Sequence, residues 1–391
     1  MRLLSNMKAM VLRAVESLSA PRPYFDRPTD PEKLDVSLED IAKSAERELE
    51  DFVRDGAFFA QKPNDLGDAC IWQGVYTAMC VQRWRYEKSP AAKKLMREAA
   101  KALAMYPRWG VLNRGAVPKA LEGQFFHRDP TKRYLNDSNG YVYRDDASLD
   151  SLLGFCYGAA TIVRYGDQGT KDVVAKAFFE LSVNFSRNGY RLINNDETFT
   201  KYGNCALGLF QAPVRVMAAC LPSLLAGQDD WRKIAARHAP EFKTPDTQIP
   251  KKMSWVNAHL AILATLSYLM LTKAEDPGHR EAQLGLNALL GKYVHAGNAF
   301  LIFGAVAADC LITANERELG VKVLSEFSLA GKPWSEPGPI NPEPTPVHRR
   351  PRLDVVWQRS PYEQGGGEHP DVRLNRMDFL MAYYLHRNSI Q

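Results

Sequence analysis

Three carboxylates stand close together at Asp145, Asp146 and Asp150, in the stretch Arg144–Gly166, RDDASLDSLLGFCYGAATIVRYG. Two more, Asp65 and Asp68, precede a second apolar stretch within Asn64–Gly74, NDLGDACIWQG. Paired carboxyl groups can do general acid–base work when one holds a proton near neutrality and the other is ionised. Cleavage of a glycosidic bond uses such a pair: an acid beside the leaving oxygen and an ionised partner that activates water. Asp68 and Asp146, at the mouths of neighbouring helices, form the expected pair, with Asp145 beside them. Glu363, in WQRSPYEQGGG, is a reserve acid that its glycine run can carry over a cleft. The competing role for the aspartates is helix capping, since Asp is a favoured N-cap residue and the helix dipole favours negative charge there.

Other side chains suit a sugar ligand. Aromatic faces pack against the apolar faces of pyranose rings, and Trp72, Trp109, Tyr202, Trp255, Trp357 and Tyr362 are the candidates. Arg144, Arg359 and His259 can bind a carboxylate, the arginines by a bidentate fork. Single aromatics and a lone histidine on apolar helices also serve as core, which is the competing role for Trp72, Trp255 and His259. Asp150 and Asn204 complete the expected binding set. No His pair has metal-ligand spacing, and no GxGxxG or P-loop is present, so no metal and no cofactor are expected.

These groups need elements to hold them. Six mostly apolar helices are expected, at Asp68–Tyr86, Asp146–Tyr165, Asn204–Leu225, Ser254–Thr272, Asn298–Thr313 and Arg376–Arg387. Each is preceded by an amphipathic helix: Ser37–Arg54, Pro90–Tyr106, Thr170–Ser186, Asp229–Ala239, His279–Tyr293 and Ala314–Leu329. Helices apolar on nearly all sides belong inside a large domain. Short connections make sequential helices antiparallel neighbours. Six hairpins bury their apolar members best as an inner ring, and the expected fold is an all-α (α/α)6 toroid. Residues 1–36 form a lead segment and 37–391 a single domain. Polar or aromatic residues mark the start of each apolar helix, among them Asp68, Asp146, Asn204, Asn257, Asn298 and Asp378. If the inner helices run the same way, these groups converge on one rim. The two longest loops, Pro107–Tyr143 and Gly331–Asn375, enter at that rim, and loops of such length usually carry function.

Composition limits the partners. The 391 residues carry a net charge of +5, with no basic cluster interleaved with aromatics, so no nucleic-acid partner is expected. A mild positive balance is compatible with an acidic glycan. The six cysteines fall in apolar stretches without CxxC spacing and read as free thiols in a reducing compartment. The N-terminal stretch has scattered charges and no uninterrupted apolar core, and no run is long enough to span a bilayer. A cytoplasmic location, no membrane partner and an oligo- or polysaccharide ligand are expected.

Six helical hairpins in a chain of this length resemble the six-hairpin glycosidase superfamily. Within it, Asn64–Gly74 resembles the HDxGF-like stretch of unsaturated glucuronyl and rhamnogalacturonyl hydrolases, with Asp65 or Asp68 as counterpart of its Asp. Arg144–Phe155, RDDASLDSLLGF, resembles the stretch carrying their second Asp, with Asp146 as the match. The leading His of the first stretch is Asn64 here, and the family's Trp-x-Arg-Gly-x-x-Trp segment is only echoed at Lys201–Gly208. The resemblance implies hydrolysis of an acidic oligosaccharide. A second class resembles helical toroid polysaccharide lyases such as alginate lyases, which eliminate across a uronate using Asn, Arg, His and Tyr. Asn194, Asn195, Asp196, Tyr202, Asn204, His259 and Arg359 would supply that set. A third class is a toroid that only binds a glycan or a protein.

Overall fold

The structure is a computed structural model, and it describes residues 36–60, 66–205, 213–243, 256–294, 297–326, 334–340, 362–369 and 376–391. The described residues are mostly helical. α1 (Leu38–Leu49) starts at Ser37, whose hydroxyl accepts from the Asp40 N–H at 3.1 Å, and turns Ile41, Ala42, Ala45 and Leu49 inward. α2 (Ala69–Glu87) is buried from Ala69 to Gln82, as a helix without a polar stripe must be. α3 (Pro90–Leu103) has Ser89 as its cap and Pro90 at the first helical position, where the missing N–H does no harm. α4 (Leu149–Tyr165) and α5 (Gln168–Arg187) follow, with Asp167 capping the second through a 3.0 Å bond from the Thr170 N–H. α6 (Pro213–Leu225), α7 (Asp230–His238), α8 (Val256–Leu271), α9 (His279–Tyr293), α10 (Ala299–Ala307), α11 (Ala314–Ser325) and α12 (Met377–Ser389) complete the helices.

The apolar helices pack on one another in sequence, α2 on α4, α4 on α6, α6 on α8, α8 on α10 and α10 on α12, and α12 packs back onto α2. α4 also packs against α8. Each of α3, α5, α7, α9 and α11 lies against the apolar helix before it, and α1 lies against α12. The expected pairing, amphipathic helix before apolar helix, is therefore shifted by one. The short αα connections lie after the apolar helices, and the long insertions lie before them.

The contact between α2 and α4 is made by backbone. A Cβ on Gly74 would sit 1.9 Å from the Gly154 carbonyl oxygen, and one on Gly158 would sit 2.5 Å from the Gly74 oxygen. Cys70 reaches Ser151, Ile71 meets Gly154, and Gly74 meets Gly158, so residue numbers rise together and the helices run parallel. The same holds elsewhere. The Tyr165 hydroxyl at the end of α4 donates to the Ala307 carbonyl at the end of α10 at 2.6 Å. Asn388 at the end of α12 donates to the Gln82 carbonyl in α2 at 2.9 Å.

Several expected boundaries move. The loop Pro107–Tyr143 holds structure: with β1 (Val53–Arg54) and β2 (Phe58–Phe59) pairing earlier in the chain, it contributes β3 (Pro107–Arg108), β4 (Val111–Leu112), β5 (Gly115–Pro118), β6 (Tyr134–Asn136) and most of β7 (Tyr141–Arg144). β3 pairs with β4, and β7 lies between β5 and β6, all antiparallel. The Val and Tyr content suits strands. Asn204 does not start a helix; it ends β9 (Phe199–Asn204), which pairs with β8 (Arg191–Ile193). Pro213, a favoured first-turn residue, begins α6 instead. The helix expected over Asn298–Thr313 stops at Ala307, and Asp309 turns the chain at φ 59°. In the second long loop β10 (Trp334–Ile340) pairs with β11 (Glu363–His369).

Candidate functional site

The parallel run of α2 and α4 places their first turns side by side, beside the β5–β7–β6 sheet and the β8–β9 hairpin. Asp68 is the residue before α2, but its side chain makes no capping bond. It instead accepts from Arg114 Nη2 at 2.8 Å. Arg114 precedes β5 and is tied down along its length. Its N–H donates to the Arg144 carbonyl at 2.8 Å, its carbonyl accepts from the Cys70 N–H at 3.0 Å, and Nη1 reaches the Asp146 carbonyl at 3.3 Å. Its Nε bonds the Gly67 carbonyl. The guanidinium thus joins the start of α2 to the approach to α4.

Asp150 sits in the first turn of α4, half-buried. Burial raises its pKa from the ordinary aspartate value, the Asp68 charge raises it further, and Arg114 works in the opposite direction. Asp68, Arg114 and Asp150 therefore form one electrostatic group, a carboxyl with a raised pKa beside one that is ion-paired.

The other two expected carboxylates are occupied with structure. Asp146 adopts φ 68°, a left-handed conformation that Asp tolerates. Its Oδ1 accepts from the Lys201 N–H at 2.9 Å, and its own N–H donates to Asn194 Oδ1 at 3.0 Å. It neither starts nor caps α4: the cap is Ser148, in a reciprocal box with Ser151. Asp145 is only 4 % exposed and is held at 2.8 Å by Arg133 Nη2 and by the backbone and side-chain N–H groups of Asn195. Arg133 reaches Asp196 with its other nitrogen at 2.8 Å, and this bond, with those from Thr198, pulls the Asp196 pKa down. Asn113, fully buried, accepts from Asn195 at 2.9 Å. Of the expected pair, Asp68 is bonded to Arg114 and Asp146 to the Lys201 N–H, while the charge of Asp68 acts on Asp150.

Among the remaining expected residues, Arg144 ends β7 half-buried, opposite Gly115 and Tyr134. Tyr202 and Asn204 lie on the exposed side of β9. Trp72, 2 % exposed, and His259, fully buried, are enclosed in the core and present no face to a ligand. Tyr362 is half-buried against the core. Glu363 opens β11 opposite Ile340. Asp65, Trp255, Trp357 and Arg359 lie outside the described residues.

Sequence reasoning passed over Arg114 as one basic residue in a long loop. The only signal for it was its position between two Asp-bearing stretches. Among the described residues no group of three or more His, Cys, Asp or Glu is arranged to hold a metal ion, and no helix is long and apolar enough to cross a membrane. Comparisons with protein-family models, curated proteins and solved structures found no match for the chain.

Proposed function

We propose that the chain is a glycoside hydrolase on an (α/α)6 toroid that cleaves an acidic oligo- or polysaccharide. The toroid is supported by the packing order of the apolar helices, in which the last returns to the first, and by the parallel run of α2 with α4. The observation that carries the chemistry is the group formed by Asp68, Arg114 and Asp150. Asp150, with a raised pKa, is the proton donor to the leaving oxygen. Asp68, ion-paired to Arg114, is the ionised partner that activates the water. Arg114 holds Asp68 in place and ties it to the Asp146 backbone.

Elimination is favoured less by the same geometry. Of the residues a lyase would use, Asn194 and Asn195 spend their amides on Asp146, Asp145 and Thr198, and His259 is fully buried. The test is to incubate the protein with polyuronates and with unsaturated uronate oligosaccharides, following reducing ends and ultraviolet absorbance together. Hydrolysis releases reducing ends without new absorbance, and on unsaturated fragments the absorbance falls. Asp150→Asn and Asp68→Asn should each lower turnover by about 10²–10⁴-fold, the usual worth of a positioned acid or base. Asp146→Asn should stay within about threefold of the parent, because asparagine keeps an acceptor for Lys201 and tolerates the left-handed backbone. A rise in absorbance on intact polymer, or an Asp150→Asn variant as active as the parent, would overturn the assignment.

A further inference from the structure

Beside the carboxylate group, two adjoining hairpins expose three aromatic rings. Trp109, 66 % exposed, sits in the β3–β4 turn, and Phe199 and Tyr202, 53 % and 58 % exposed, lie on β9. β4 packs against β8, so the two hairpins are neighbours. Large rings left in water at this density mark an interaction surface rather than scattered exposure.

Each ring has a cation packed against it. Arg108 Cζ lies 3.8 Å from the Trp109 ring centroid, Arg191 Cζ lies 5.1 Å from Phe199, and Lys201 Nζ lies 4.9 Å from Tyr202. Such a cation covers one ring face, steadies the ring and leaves the other face open. Arg108 is neutralised by Asp137. Arg191 and Lys201 form no ion pair among the described residues; of the two carboxylates in the β8–β9 turn, Asp196 is taken by Arg133, which leaves exposed Glu197 as one negative charge against these two positive ones. The unspent charge on this surface is therefore positive.

The rings are presented on fixed backbone. Trp109 adopts φ 51° and its carbonyl accepts from Asn184 Nδ2 in α5 at 3.2 Å. The next residue must be glycine: at Gly110, φ 73°, a Cβ would lie 2.4 Å from Asn184 Nδ2 and 2.9 Å from the Glu180 carbonyl oxygen. β9 is tied to the rim by the Lys201 N–H bond to Asp146.

We infer that the β3–β4 and β8–β9 hairpins form a binding track for the chain of a polyuronate, with Trp109, Phe199 and Tyr202 stacking on sugar faces and Arg191 and Lys201 pairing with sugar carboxylates. This rests on the proposed cleavage site, which the track adjoins through Asp146 and Lys201. A ring with a cation at its side matches a uronate, which offers an apolar C–H face and a carboxylate at its edge. A polymer longer than the cleavage site is gripped here, away from the acid pair.

The test is direct binding to the full chain, by calorimetry, of polygalacturonate and of the same polymer fully methyl-esterified, which keeps the backbone and removes the charge. The parent should bind the free acid more tightly than the ester, with the difference shrinking as salt is raised. Trp109→Ala and Tyr202→Ala should each weaken binding of the free acid by about five- to tenfold. The double variant Arg191→Gln, Lys201→Gln should bind acid and ester alike. All these side chains are exposed, and unchanged circular dichroism and unfolding midpoints would show that the variants are folded. Equal parent affinity for acid and ester, no binding of either, or ring variants that bind like the parent would overturn the track. Asp150→Asn separates the two proposals. If it abolishes cleavage yet binds polymer normally, both stand. If cleavage is absent in the parent while charge-dependent binding persists, only the hydrolase assignment falls.

Discussion

Replacement of Gly74 by alanine tests the contact that sets the site. An alanine Cβ there would lie 1.9 Å from the Gly154 oxygen and 2.4 Å from the Gly154 carbonyl carbon, both backbone atoms that no rotamer change can move. Non-bonded heavy atoms settle at about 3.5 Å or more. The helices would therefore have to part by on the order of 1.5 Å along a contact where Gly154 and Gly158 also touch backbone. Overpacking at a close-packed site costs about 3 kcal/mol at the upper end of the usual range. Alanine recovers about 1 kcal/mol through its better helix propensity. The difference is a net loss of about 2 kcal/mol, so the clash wins over propensity.

A matched control is Gly169 in α5, where the nearest atom to a new Cβ is Asp167 Oδ1 at 3.8 Å, an ordinary contact. There only the propensity gain remains, and Gly169→Ala should stabilise by up to about 1 kcal/mol. Urea unfolding of the two variants beside the parent should move their midpoints in opposite directions. The chemistry should follow the geometry. Parting α2 from α4 draws Asp150 away from Asp68, removing one of the two causes that raise its pKa. The alkaline limb of any pH–rate profile, which reports loss of the Asp150 proton, should then shift down in pH for Gly74→Ala. A Gly74→Ala protein as stable as the parent would refute the backbone contact and the placement of the two carboxylates that depends on it.

The raised pKa of Asp150 makes it a liability in the folded state at neutral pH. Its relative contribution to stability is fully present below the unfolded carboxylate pKa and is lost as pH rises through the raised folded value. Asp150→Asn should thus unfold at higher urea than the parent at pH 7, with the advantage disappearing near pH 3. Asp137→Ala should destabilise by about 3 kcal/mol, because it strands the largely buried Arg108 and frees the Asn139 and Tyr141 N–H groups, and urea midpoints at low and high salt should agree on this. Arg133→Gln should loosen the β8–β9 hairpin by leaving Asp145 and Asp196 without their shared cation, which faster amide exchange at Asn195 and Thr198 would register.

Much of the helical plan was legible because apolar periodicity over three or more turns is a strong signal. The helix over His279–Tyr293 lies where its pattern places it, and α2 begins one residue after Asp68. The strands of the Pro107–Tyr143 segment were not legible. Elements of two to four residues show no period, and their pairing is decided by partners such as Tyr143 with Ala116 and Leu135. Arg114 left no local trace either: its partner Asp68 lies 46 residues away in sequence, and only the folded chain brings them together.

The carboxylates at Asp145, Asp146 and Asp150 show where sequence reasoning divides. Three residues at the mouth of α4 compete to be its cap, Asp145, Asp146 and Ser148, and Asp and Ser are both good N-caps. What decides is backbone reach. Asp146 takes the left-handed conformation, so the chain turns there and cannot yet enter a helix. Ser148, two residues on, is extended and has Ser151 three residues later to close the box. Once Ser148 is the cap, Asp150 falls in the first turn, with its side chain free of capping duty. The rotation of α4 about its axis is then fixed by Gly154 and Gly158 against α2, on the side of the helix that also carries Asp150. The two glycines stand four residues apart, one helical turn, and that stripe is a packing signal written in the sequence. Asp146, Asp150, Gly154 and Gly158 share that four-residue spacing, so the stripe alone does not choose between the two aspartates; the left-handed turn at Asp146, which keeps it off the helix and leaves Asp150 on the face that meets α2, was not legible in the sequence.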